Sequence, residues 1–98
     1  MKARIRELME KGKCLNFPYF TLYFRESPYF KIGFIASKKV IKPVKRNYIK
    51  RIIREFVRKN FKKGDFLFVF KREIKEAGRE KISDTLNKAF EELKCQNS

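Results

Sequence analysis

Apolar and polar positions change period along this chain, and the changes mark out its elements. From Tyr19 they alternate: Phe20, Leu22 and Phe24 point one way, Tyr19, Thr21 and Tyr23 the other. Residues 14–24 therefore read as one aromatic-rich strand, with Pro18 putting its early part at a sheet edge or bulge. The even set reads as core. The odd set is either a wetted face or a platform on which bases stack. Ser27-Pro28 marks a turn. Residues 30–37 give a second strand, in which Gly33 marks a bulge or a close backbone approach. From Pro43 to Lys59 the period lengthens: Val44, Tyr48, Ile49, Ile52, Ile53, Phe56 and Val57 form one face of a helix that Pro43 can start. Residues 60–64 turn the chain into a third strand at 65–72. Its apolar run from Phe66 to Phe70 predicts burial on both faces.

The ends are helical by the same criterion. Ile5, Leu8 and Met9 share a face of a helix over residues 2–11 that ends at Gly12. After a polar stretch at 73–78, Ile82, Leu86, Ala89, Phe90 and Leu93 set a second long amphipathic helix over 79–94. The expected class is α/β, in the order α-β-β-α-β-α around a central sheet, with strand, helix and strand from 30 to 72 forming a βαβ unit. A chain of 98 residues suits a single domain, 1–98.

Charge changes the picture most at 43–59. Arg46, Lys50, Arg54 and Arg58 lie four apart and form a row along the helix, against a single acid, Glu55. Side chains at that spacing sit roughly 5–6 Å apart, near the spacing of successive phosphates, and like charges so placed weaken an isolated helix. A solvated surface helix usually mixes its signs. The whole chain repeats the bias, with 26 Lys and Arg against 11 acids and a net charge of +15. With 43% apolar residues, eleven Phe and four Tyr, it reads as a folded basic domain and not a disordered tail. Such a field favours a polyanion, and nucleic acid fits best. No apolar run approaches the length of a membrane span, and the charged N-terminus does not resemble a signal peptide. Cys14 and Cys95 lie far apart without CxxC spacing and the chain has no His, so neither a zinc site nor any other metal site on the protein is expected. Reduced thiols in a cytoplasmic protein are the default.

Residues 33–55, GFIASKKVIKPVKRNYIKRIIRE, resemble the bacterial ribonuclease P protein component. That family's pattern is a strand ending in a Ser/Lys-Lys run, a short loop, and a helix carrying Arg-Asn-Arg, then Lys-Arg, then Arg-Glu or Arg-Gln. This chain supplies Arg46-Asn47-Tyr48, Lys50-Arg51 and Arg54-Glu55, with Tyr48 where the pattern has a second Arg. The resemblance extends over roughly residues 4–94. It implies a ribosomal protein S5 domain 2-like fold with a left-handed βαβ crossover, where ordinary handedness would be right-handed. It also implies a function. The protein would be a subunit of an endoribonuclease, one chain to one catalytic RNA, assisting removal of the 5′ leader from precursor tRNA. The catalytic groups and Mg²⁺ would sit on the RNA. By matching position, Arg46 and Asn47 would meet the catalytic RNA, with Arg51, Lys38, Lys39, Lys42 and Lys45 nearby. Lys50, Arg54 and Arg58 would line a leader cleft between the basic helix and the sheet, Thr21 and Tyr23 forming the sheet wall and Ile5 and Met9 the opposite one. A structural RNA-binding protein, such as a small ribosomal protein, is the alternative that composition allows. A protein-only nuclease is disfavoured for want of His and of clustered carboxylates.

Overall fold

In the computed structural model, residues 3–36 and 41–96 are described, with side chains described for 6–36 and 41–94. The chain runs α1 (Ala3–Lys11), β1 (Lys13–Asn16), β2 (Phe20–Arg25), β3 (Phe30–Ile35), α2 (Pro43–Asn60), β4 (Gly64–Phe70), a 3₁₀ turn (Arg72–Glu76) and α3 (Arg79–Gln96). This is an α/β fold on one four-stranded mixed sheet in the order β1-β2-β4-β3. β4 is central, antiparallel to β2 and parallel to β3. Its apolar run is buried at every position but Val69, as two covered faces require.

The expected single strand at 14–24 is two strands. Asn16 pairs with Thr21 across a hairpin whose connection holds Pro18, and the Phe17 amide donates to the Phe20 carbonyl at 3.0 Å. Proline has no N–H to give a ladder, so the chain turns there. The order is therefore α-β-β-β-α-β-α. Gly33 sits in unbroken register opposite Leu67, so no bulge forms there.

Register assigns each side chain to a face. Leu15, Phe20, Leu22, Phe24, Ile32, Phe34, Phe66, Phe68 and Phe70 share one, and it is packed by α2 and α3. Ile49, Ile53 and Val57 of α2 are fully buried there, as are Ile82, Leu86, Ala89 and Leu93 of α3. Each large aliphatic side chain so placed contributes about 1.5–3 kcal/mol relative to exposure. Val44 and Tyr48 do not join this anchor: they are 83% and 46% exposed. The inward stripe is the narrower i, i+4, i+8 set, flanked by half-buried Ile52 and Phe56.

Helix α1 lies against β1 and β2 on the other face of the sheet. Glu7 meets Arg25 at 3.0 Å, and Arg25 meets buried Asp65 at 3.6 Å. Leu8 and Leu67 are buried outside the main core cluster. Gly12 ends α1, its amide donating to the Leu8 carbonyl at 2.9 Å. A Cβ at Gly12 would lie 2.5 Å from that oxygen and 2.9 Å from the Phe24 carbonyl, so the close approach of helix to strand requires glycine. Gly64 is required for another reason. Its φ of 125° opens β4, and a Cβ there would stand 2.9 Å from the Phe24 ring.

Candidate nucleic-acid interface

At about 100° of rotation per residue, the side chains of α2 sort into three sectors around the axis. Ile49, Ile53 and Val57 point to the sheet. Ile52, Phe56 and Lys45 turn toward α3 and the 3₁₀ turn. Phe56 meets Phe90 with ring centroids 5.0 Å apart, and the Lys45 ammonium donates to the Lys75 carbonyl. On the opposite flank Lys50, Arg54, Asn47, Arg58 and Arg51 fall within an arc of about 100°. That flank looks over β3, an edge strand. Lys50 Nζ lies 5.7 Å and Arg54 Cζ 5.8 Å from the centroid of the Phe34 ring. One aromatic ring thus supports two cations a helical turn apart, holding their charge at fixed positions.

The arc is electrostatically open. Among the described residues neither Lys50, Arg54, Arg51 nor Arg58 makes an ion pair. The start of α2 adds to the field: no acid lies in its first turn, and Lys42 at the N-cap gives no side-chain hydrogen bond. The positive end of the helix dipole is uncompensated beside the basic arc. Arg46 sits at this end, half-buried, its Nε without a hydrogen-bond partner among the described residues. An anion brought to the helix start would meet an available guanidinium.

The other expected wall stands elsewhere. Thr21 and Tyr23 alternate with Phe20, Leu22 and Phe24, so they face the side of the sheet that carries α1. Half-buried Met9 belongs to that helix. Thr21 Oγ1 donates to Asn16 Oδ1 at 3.3 Å, and the Lys71 ammonium donates to the same oxygen. Tyr23 stands opposite Cys14 in the ladder. Burial holds its hydroxyl above the usual tyrosine range, and the Cys14 charge and hydrogen bond push the same way.

Among the described residues no single cleft joins α2 to a wall of Thr21 and Tyr23, because the space under α2 is filled by the core. The structure groups Lys50, Arg54, Arg58, Asn47 and Arg51 on one flank and Met9, Thr21 and Tyr23 on the opposite sheet face. β4 lies between β2 and the β3 edge, so with strands about 4.8 Å apart the sheet sets the groups roughly 10 Å apart in its plane, and their placement on opposite faces adds to that. Lys42 is exposed beside the arc, whereas Lys45 is turned away from it. Lys38 and Lys39 lie outside the described residues, as does the Ile5 side chain. Sequence reasoning missed Phe34 as the support for Lys50 and Arg54, although its parity with Ile32 in the strand was readable. It also missed Asn16 and Lys71, which reach Thr21 only through the hairpin.

Comparison with known proteins places the chain in a family. The family model described as Ribonuclease P matches residues 1–94. A ribonuclease P protein component from Nitratiruptor sp. is 33% identical over 96 residues, covering 95% of this chain and 88% of that one. One from Fusobacterium nucleatum is 36% identical over 86 residues, covering 78% of each. The structure of the Staphylococcus aureus RNase P protein shares the fold, with a TM-score of 0.82 at 24% identity over 96% of this chain and 92% of that one. The chain belongs to the ribonuclease P protein component family.

Proposed function

We propose that this chain binds the catalytic RNA of ribonuclease P and the single-stranded 5′ leader of precursor tRNA, assisting the endonucleolytic cut that matures the tRNA 5′ end. The observation that carries the proposal is the open cationic arc of α2, held over Phe34 in a chain of this family. Phosphate contacts from such an arc bring two polyanions together by replacing condensed counterions. Arg46, Asn47 and Arg51, with Lys42, Lys38 and Lys39, are proposed to meet the catalytic RNA. Lys50, Arg54 and Arg58 are proposed to hold leader phosphates, and the face bearing Met9, Thr21 and Tyr23, together with Ile5, to receive leader bases that pass the β3 edge.

The chain's own role is to bind and orient. Its carboxylates are engaged structurally where they lie closest to the sheet: Arg25 holds both Glu7 and Asp65. Cleavage chemistry and Mg²⁺ are accordingly proposed to reside on the RNA, in a cytoplasmic complex of one protein and one RNA. No helix among the described residues is long and apolar enough to cross a membrane.

Sequencing the RNA that co-purifies with the chain tests the partner. The proposal expects one large, folded, catalytic RNA, and expects Arg46→Ala to lower its yield. Recovery of ribosomal RNA would favour a structural ribosomal role and overturn the proposal.

A further inference from the structure

A second basic and aromatic feature lies at the far end of α2. The turn between β2 and β3 and the connection from α2 to β4 border an open cleft of about 810 Å³. That size suits a small organic ligand such as a nucleotide. The two segments are joined by a hydrogen bond from the Gly64 amide to the Tyr29 carbonyl at 3.1 Å. Phe24, Phe61 and Pro28 line the cleft, and Tyr29 beside it is 69% exposed. Lys62 and Lys63 stand on the same lining, past the last turn of the helix, and make no ion pair among the described residues. The 18 residues of α2 put this cleft roughly 27 Å from the helix start.

Beside the two ammonium groups, the polar side chains of the cleft are Glu26, Asn60 and Ser27, whose Oγ accepts from the Tyr29 amide at 3.2 Å. Asn60 spends its amide nitrogen on the Phe56 carbonyl at 2.8 Å, leaving Oδ1 free to accept. Glu26 lines the cleft as an acid in a strongly basic surface. The half-buried Phe61 ring and exposed Tyr29 to stack on, two ammonium groups for a phosphate, and the acceptors of Glu26 and Asn60 match an unpaired nucleotide. An acceptor edge selects bases that present an amino group. Guanine, adenine and cytosine carry one, and uracil does not.

The geometry points to a second RNA contact: this cleft takes one unpaired nucleotide with an amino-bearing base, its phosphate on Lys62 and Lys63. The contact is independent of the α2 arc, and it would fix an RNA at both ends of the helix. The nucleotide comes from either the catalytic RNA or the precursor tRNA.

The test is a titration of the full, isotope-labelled chain with GMP, UMP and inorganic phosphate, read by amide chemical shifts. GMP is expected to give saturable shifts at Ser27, Lys62, Lys63 and Gly64, and UMP to bind about threefold or more weakly. Lys62→Ala with Lys63→Ala, both exposed, is expected to weaken GMP about fivefold. Glu26→Ala with Asn60→Ala, which removes both acceptors, is expected to erase the preference over UMP. Shifts confined to Asn47–Arg54, or a response to phosphate equal to that to GMP, overturn the site. Titrating the double variant against the catalytic RNA alone and against leader-bearing precursor assigns the source by which affinity falls. Loss on neither overturns the contact, and leaves the role of the α2 arc standing.

Discussion

Lys50→Gln with Arg54→Gln removes both cations that rest on Phe34. Lys50 is half-buried and Arg54 exposed, at 5.7 and 5.8 Å from the ring centroid. Each cation–ring contact at such a site contributes about 0.5–1 kcal/mol, so the double variant loses at most about 1–2 kcal/mol of folding stability. For a domain of this size each kcal/mol lowers Tm by roughly 4–8 °C, and the binding assay stays meaningful well below the transition. The effect on RNA is larger and has a distinct signature. Each phosphate contact to a single strand contributes about 0.7 to the slope of log K against log salt, so losing two flattens the slope by about 1.4. From about 50 to 200 mM salt the wild type then loses roughly sevenfold more affinity than the variant. The assay is fluorescence anisotropy with the chain assembled on its catalytic RNA, using precursor tRNA with a leader and mature tRNA without one. The flattened slope is expected on the precursor alone. Equal slopes for both proteins, or an equal change on both tRNAs, would refute the assignment of these cations to the leader.

Tyr48→Arg places a charge on a residue already 46% exposed, so stability holds while the salt slope for the catalytic RNA steepens by about 0.9; an unchanged slope in filter binding contradicts this placement of α2. Gly12→Ala drives a Cβ to 2.5 Å from the Leu8 oxygen and should cost roughly 1–3 kcal/mol in urea unfolding. An unchanged midpoint would show that α1 and β2 need no such approach. Tyr23 ionises above the ordinary tyrosine range because of burial first and Cys14 second. A group whose pKa is raised on folding gives stability that is complete below its unfolded value, about 10, and lost as pH rises through the folded value. Ultraviolet difference titration against Tyr23→Phe should place Tyr23 high, and Cys14→Ser should lower it only in part. Full return to the ordinary range would make Cys14, not burial, the dominant cause.

Helix α2 and strand β4 were legible because their periods are long and unmixed: Ile49, Ile53 and Val57 recur with the helix, and Phe66 to Phe70 admit no wet face. The β1–β2 hairpin was not. The aromatic run continues through Phe17, Pro18 and Tyr19, and side chains on both sides of the turn are apolar, so hydropathy carries no break. The 3₁₀ turn hid because Ile74 is its one buried residue within a polar stretch. Val44 and Tyr48 looked like anchor positions because the helix pattern fixes spacing but not the width of the buried stripe, which the neighbouring α3 decides. For the site, the cationic row was visible as a row. Its separation from Thr21 and Tyr23 was not, since the side of the sheet that α2 covers depends on topology. The support that Phe34 gives Lys50 and Arg54 is likewise a contact between elements.

The most direct measurement is cleavage of precursor tRNA by the partner catalytic RNA at low Mg²⁺, with and without the full chain at moderate salt. A binding and positioning subunit is expected to raise the cleavage rate at subsaturating substrate and to lower the Mg²⁺ required, with no cleavage by the chain alone. The same rate with and without the chain would contradict the role proposed for the α2 arc, and cleavage by the chain alone would contradict the assignment of the chemistry to RNA.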